Sequence, residues 1–355
     1  MSDFLVIGGG IAGLSVGARL AALGKVTLLE AEPDLGYHAS GRSAAMFEES
    51  YGAAPVRALN RASRADLEAR DVLSPRGLML VGGAGEKAAF EDDATAMHME
   101  RITSAEARAT LPILDTDATP YTAFHSDAWD IDTDKLLQSF RRDLLKNGEI
   151  VTRARVEALS RVGDIWEAQC PIGTYAAPIV VNAAGAWADR VGALAGIAPI
   201  GLQPYRRSMA RVPAPDGHDV AAWPMVFGAG ETWYAKPDAG ALLISPADED
   251  PIDPMDAWAD DMVLAEGIAR YQHHMTHPVT RMISNWAGLR TFAPDRALVI
   301  GFAAAHKGFF WLAGQGGYGF QTSAAASQLA ADLIAGRQPV LPHDIVAALS
   351  PDRFA

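Results

Sequence analysis

Near the N-terminus, Gly8-Gly9-Gly10-Ile11-Ala12-Gly13 holds the spacing G-x-G-x-x-G, and Glu30 closes the second apolar run after it. These residue types suit the binding of a dinucleotide. Gly8 permits a tight turn, Gly10 lets the backbone approach a pyrophosphate, and Gly13 lets a helix pack close to a strand. Ile11 and Ala12 open that helix, whose N-terminal N–H groups and dipole favour an anion. Glu30 would accept hydrogen bonds from ribose hydroxyls. The competing reading is a glycine cluster that serves helix packing alone.

A second glycine-rich run, Gly314-Gln315-Gly316-Gly317-Tyr318-Gly319, precedes Phe320, Gln321 and a small-residue helix expected over 321–334. It brings a second helix N-terminus to a glycine turn. A cofactor with two electron-rich ends would use both sites, and FAD fits that layout. Its pyrophosphate would meet the first helix. The flavin N1/C2-carbonyl edge, negatively charged when reduced, would meet the second. The segment Gly36-Tyr37-His38-Ala39-Ser40-Gly41-Arg42-Ser43-Ala44-Ala45 is small, polar and glycine-punctuated, and its place after Glu30 lets it run along a large planar cofactor.

The elements that must carry these residues follow from periodicity. Phe4–Ile7 and Val26–Leu29 are short apolar runs, hence buried strands, with a helix over 14–23 between them. Helices are also expected over 51–67, 86–100, 104–109, 135–145 and 255–277. Strands are expected over 78–81, 150–166 with a turn at Gly163-Asp164, 179–187, 297–300 and 309–313. The stretch 202–246, punctuated by Pro and Gly, reads as antiparallel sheet. Asp130-Ile131-Asp132-Thr133-Asp134 stands at a helix mouth, where acids cap the first turn and suit the dipole. A Ca²⁺ loop is disfavoured because the EF-hand glycine and distal Glu are missing. His273 and His277 are spaced i, i+4 with no evident third ligand, so no metal site is expected.

The glycine motifs, together with Glu30, Gly41-Arg42-Ser43-Ala44-Ala45, Asn182-Ala183-Ala184-Gly185-Ala186-Trp187 and Gly316-Gly317-Tyr318-Gly319, resemble the D-amino-acid oxidase superfamily of FAD-dependent oxidoreductases nearly end to end. Gly36-Tyr37-His38, Ser74-Pro75-Arg76, Gln203-Pro204-Tyr205-Arg206-Arg207 and Trp286-Ala287-Gly288-Leu289-Arg290 resemble most the bacterial D-arginine dehydrogenase type. The resemblance implies an α/β (α+β overall) fold, with a Rossmann-like FAD-binding domain and a smaller substrate domain of mixed or antiparallel sheet. The FAD domain is expected over 1–80, 140–200 and 286–340, the substrate domain over 81–139 and 201–285, and a tail over 341–355. It further implies non-covalent FAD, with Val156 framing the adenine through its backbone and Ala184, Gly185 and Trp187 at the cofactor.

The same resemblance makes Arg207 and Arg290 the carboxylate anchors. A planar guanidinium fork suits that task, although Arg207 alone, directly after Arg206, would read as a surface ion pair. Tyr51 and Tyr234 become pocket or lid tyrosines, and the Gly317 carbonyl accepts from the substrate amine. The chain departs from the D-arginine type at Leu78, where that type is acidic, and at Met46 and Glu48, where it has His and Thr. Met225 and Phe227 add apolar bulk, so a cationic tail loses its partner. Glu48 either replaces that charge from another direction or points to solvent, the commoner state of a Glu. The expected reaction is oxidative deamination of a small amino acid, a D-amino acid with a neutral or apolar side chain, by hydride transfer to flavin N5. The alternatives are a basic D-amino acid, a secondary amine or a 2-hydroxy acid as substrate, or a non-catalytic flavin subunit of a hetero-oligomer. The electron acceptor, whether oxygen, a quinone or another compound, is open.

Composition sets the outer bounds. The 355 residues carry 43 acidic and 30 basic side chains, a net charge of −13. Such a balance repels nucleic-acid phosphates, and no Lys/Arg block offsets it. Disorder as the main state is excluded by 49% hydrophobic and only 21% charged residues. The single cysteine, Cys170, forms no internal disulfide and no thiolate cluster. No apolar run approaches the ~20 residues of a spanning helix. Asp3 stands where a signal peptide would be basic. A cytoplasmic location is the expectation.

Overall fold

In the computed structural model, which describes residues 1–354, a six-stranded sheet forms the first layer. Its order is Val299–Phe302, Phe309–Ala313, Ile179–Asn182, Phe4–Ile7, Val26–Leu29, Gly148–Val151. All pairs are parallel except the first. Its central strand Phe4–Ile7 is continuously apolar because both faces are covered. Phe4 and Val6 face a core shared with helices Ile11–Leu20 and Gly319–Ile334. Leu5 and Ile7 face a second core, roofed by the antiparallel strands Ala158–Val162, Ile165–Cys170 and Gly173–Ala177.

The second layer is a nine-stranded mixed sheet. Gln203–Pro213 is its longest strand, paired antiparallel with Ala241–Ser245 on one side and Ser284–Phe292 on the other. Tyr234–Asp238, Met225–Gly228, Leu78–Gly82, Tyr121–His125 and Glu100–Ile102 extend it. Alternation splits its faces. Met79, Val81, Val226 and Ile244 fill one core, while Leu78, Leu80, Phe227 and Tyr234 fill the other. A small sheet of Met46–Phe47, Trp129–Ile131 and Leu73–Pro75 joins the two layers. The α/β class with two dissimilar sheets is as expected.

Several expected boundaries move. Ser284–Phe292 lies in the nine-stranded sheet and Leu78–Gly82 starts it, so the boundaries expected at 286 and 80 fall inside its strands. Helix Thr133–Leu144 packs on Ile11–Leu20 in the first layer, ahead of the expected boundary at 140. The tail is not separate, because helix His343–Leu349 buries Leu349 in the first core. The strand expected over 179–187 stops at Asn182, and Gly185, at φ +53°, opens a 3₁₀ turn to Trp187. The strands expected over 150–166 are interrupted at 152–157. The helix expected over 255–277 is confined to Asp261–His273, where the Asp260 carboxylate accepts from the N–H groups of Met262 and Val263. Asp132 caps Thr133–Leu144 in the same way, as the acid run implied.

Candidate active site

Between the two layers lies a cavity of about 430 Å³. One end is the first glycine turn. Gly8 has φ +109°, and a Cβ on Gly13 would stand 1.8 Å from the Gly8 carbonyl oxygen, so the helix can meet the strand only without that atom. Gly10 is different. Its missing Cβ would meet only the Ser40 hydroxyl, at 3.1 Å, and the residue opens onto the cavity with Ile11 and Ala12. Glu30 lines the wall, and its carboxylate accepts from Gly9 N–H at 2.6 Å and Glu32 N–H at 2.8 Å. Val156 borders the same end because Ala154 N–H donates to the Glu30 carbonyl and draws the irregular chain against the strand.

The middle is walled by Ala184, Gly185 and Trp187 on one side and by Ser43, Ala44 and Ala45 on the other. Arg42 also borders it, but its guanidinium turns away. It donates to the Ala257 and Ala287 carbonyls at 2.8 and 2.9 Å and pairs with Asp256. Gly41 does not line the cavity. Its close approach to the Gly36 carbonyl closes the loop behind it.

The inner end carries Arg207, Arg290, Tyr234, Gly316, Gly317, Gly319, Phe320 and Gln321. Register explains the arginines. Arg207 pairs with Gly288 and Arg290 with Tyr205, which puts the two guanidiniums on one sheet face as diagonal neighbours. A Cβ on Gly317 would touch the Arg290 guanidinium carbon at 3.1 Å. Among the described residues neither arginine has a hydrogen bond or ion pair, and the Arg207 Nε is buried without a partner. Burial and the neighbouring Arg290 push the Arg207 pKa down. Burial opposes the Arg290 charge too, but Tyr234, Tyr51 and Glu231 outweigh it and the pKa rises. A guanidinium keeps its charge in proteins, so both present unused donors.

Tyr51 stands behind this end rather than in its wall. Its hydroxyl donates to Glu231 at 3.4 Å, and its ring meets Tyr318 edge-on at 5.5 Å. Burial pushes the Tyr51 pKa up to about 12, so it remains a donor. Tyr318, expected at the cofactor, is buried in the core next to Phe292. Glu231 was not foreseen. It sits at the solvent rim with φ +52°, its carboxyl set toward Arg290 and Arg207, and burial of that carboxyl raises its pKa.

The expected side-chain pocket is corrected in two respects. Leu78, Met225 and Phe227 do not line the cavity but pack in a cluster with Met46 and Met209, which do. Met209 was missed, although two residues after Arg207 on a strand is the same face. Glu48 neither faces solvent nor lines the cavity. It is buried, with one oxygen 3.0 Å from His125 Nε2 and the other accepting from Ser50 N–H at 2.7 Å. Burial raises its pKa.

The donor set fits FAD. Seven buried side-chain polar atoms lack partners among the described residues, and four of them (on His38, Arg207, Thr291 and Gln321) belong to residues of this cavity wall. Unmet polar capacity of that kind implies a polar occupant. No group of three or more His, Cys, Asp or Glu able to hold a metal occurs among the described residues, and none of their helices is long and apolar enough to cross a membrane.

Fold and cavity together define a flavin-dependent oxidoreductase. The family model for FAD dependent oxidoreductases, DAO, matches residues 3–333, and the chain belongs to that family. The chain is 29% identical over 167 residues to glycine oxidase of Geobacillus kaustophilus, a match covering 46% of this chain and 42% of that protein. The solved structure of that glycine oxidase superposes with a TM-score of 0.85 at 22% identity, covering 98% of each chain. L-proline dehydrogenase from P. horikoshii superposes with a TM-score of 0.83 at 21% identity, covering 99% of this chain and 97% of that one.

The FAD is expected to be held without a covalent bond. Burial pushes the Cys170 thiol up to about 11, and it lies in strand Ile165–Cys170 outside the cavity wall. His38 does line the cavity, but its Nε2 is engaged by Glu32 at 3.1 Å. Acid precipitation should leave a white pellet and a yellow supernatant. A yellow pellet would show a tether, with His38 the first position to map.

Proposed function

We propose that this protein deaminates a small neutral amino acid oxidatively, a D-amino acid first among candidates, giving an imino acid that water converts to an oxo acid and ammonia. The observation that carries the reading is the pair of unpartnered guanidiniums at the inner end of the cavity. Two desolvated cations need an anion, and a substrate carboxylate supplies one with matched geometry.

In this reading Arg207 and Arg290 hold the carboxylate and fix the orientation of Cα. The Gly317 carbonyl accepts from the amine. Bound FAD would be the two-electron acceptor for the hydride on Cα. The amine must first be neutral, and two nearby guanidiniums disfavour its charged form. Solvent, or Tyr234 through a water, takes that proton. Met46 and Met209 meet the side chain. A guanidinium or ammonium tail would be desolvated there without a partner, at a cost of several kcal/mol.

Anaerobic bleaching of the flavin by both enantiomers of alanine, methionine, phenylalanine, lysine and arginine, with glycine, sarcosine and lactate alongside, tests the proposal. D-methionine or D-alanine should exceed D-arginine in kcat/KM. Sarcosine or lactate as the best reductant would replace the substrate class, and no bleaching by any of them would favour the flavin-subunit reading. Glu48→Gln should leave the substrate order unchanged, since Glu48 is turned to His125. A preference for arginine that collapses in Glu48→Gln would reverse the side-chain assignment.

A further inference from the structure

We propose that Lys236 is a positioning residue for the cofactor, fixing the Ala44 peptide of the 42–45 loop and setting the charge beneath it. The inference rests on the placement of FAD along that loop. Lys236 is two residues beyond Tyr234 on one strand and so shares its face. It is buried, and its ammonium donates to the Ala44 carbonyl at 3.1 Å and to Asp130 at 2.5 Å. A buried lysine is rare and needs such partners.

Its effect passes through the peptide plane. In a trans peptide the carbonyl and the following N–H point in opposite directions, and this chain has no cis bond among the described residues. Lys236 holds the Ala44 carbonyl, and the Ala45 N–H on the opposite edge of that peptide donates to the Ser43 hydroxyl at 3.2 Å, which fixes that hydroxyl in the loop. Trp286, on the same sheet, does likewise to the Arg42 carbonyl at 3.1 Å and so turns the Ser43 N–H inward. Ser43, Ala44 and Ala45 all line the cavity. The nine-stranded sheet thus sets the Ser43 N–H and hydroxyl against whatever lies there, as an electron-rich ring edge requires.

Charge follows from the same cluster. Asp130 is shared by Lys236 and by Arg76, which reaches it at 2.5 Å. Two cations and one carboxylate leave a net positive charge below the loop. That charge favours the reduced, anionic flavin over the oxidised one.

The test uses the purified holoenzyme and reads FAD affinity and the flavin reduction potential, with circular dichroism as a check on folding. Lys236→Met should weaken FAD binding about tenfold or more, the range for losing a hydrogen bond to a charged group, and move the potential to a more negative value. Asp130→Asn removes negative charge and should move the potential the opposite way. Lys236→Gln keeps a donor but not the charge, so it should retain most affinity while the potential still falls. It carries the test if the methionine variant does not fold. Wild-type affinity and potential in Lys236→Met or Lys236→Gln, or shifts of the same sign in the lysine and aspartate variants, would overturn the proposal. Failure of Gly10→Val to lose FAD would instead overturn the cofactor placement itself.

Discussion

Replacing Arg290 by alanine is expected to lower kcat/KM for the carboxylate substrate by roughly 2–5 kcal/mol, the range for removing one partner of a desolvated charge pair. At 1.4 kcal/mol per tenfold that is about thirty-fold to several thousand-fold. The size follows from its setting. The guanidinium has no protein partner among the described residues and stands against Gly317 at the closed end of the cavity. An exposed arginine would cost under about 1 kcal/mol. Arg207→Ala should act in the same direction. The visible spectrum of each variant should stay that of bound FAD, which separates lost substrate binding from lost cofactor. An unchanged kcat/KM in Arg290→Ala with FAD retained would remove the carboxylate anchor from the reading.

The second large effect divides two glycines. Gly13→Ala should leave little folded protein, because its Cβ would lie 1.8 Å from a backbone oxygen that belongs to a buried strand and turn. Overpacking ordinarily costs about 1–3 kcal/mol where side chains can give, and here none stands in the way to give. Gly10→Val should fold, since only the Ser40 side chain is close, yet purify colourless because the added bulk enters the cavity. Circular dichroism and melting of both variants, with FAD content from the 450 nm region, check the pair. A yellow Gly10→Val protein would show that the cofactor does not pass over that turn.

How much was legible in the sequence depended on how local each cause is. The first βαβ unit could be read because the contacts of Gly9, Gly10 and Gly13 lie within thirty residues, and the apolar strands carry their own signature. The arginines needed register. Arg206 and Arg207 are adjacent, and a strand sends adjacent side chains to opposite faces. Arg206 meets Asp248 and Asp250, while Arg207 enters the cavity. Taken alone the sequence favoured an ion pair for Arg207, and it is its neighbour that makes one.

Other sites depended on partners far away in the chain. The frequency with which Glu is exposed pointed Glu48 to solvent, but His125 holds it inside. Glu231 reaches Tyr51 across 180 positions, and no local pattern marks it. Leu78, Met225 and Phe227 pack in a cluster with Met46, Met209 and Tyr234, but it is the latter three that line the cavity. The helix expected over 255–277 was drawn too long because its first residues form an irregular strap. Arg42 and Tyr37 hold that strap through Asp256, a contact that composition does not encode.

The strand that bears Arg290 does not end at the cavity. Thr291 accepts a hydrogen bond from Gly316 N–H at 2.8 Å, and the Phe292 ring occupies the space where a Gly316 Cβ would be, 2.2 Å away. The carboxylate anchor and the second glycine turn are thus one corner of the molecule. If Arg290 anchors the carboxylate as proposed, the spacing between it and the flavin edge is inherited as a unit with that corner. Met46, Met209 and Tyr234 come from other strands. On the proposed reading, the Met46 and Met209 positions can drift toward new side chains after a gene duplication while the electron-transfer distance stays as it was, so diversity of substrate costs the lineage no retuning of its chemistry.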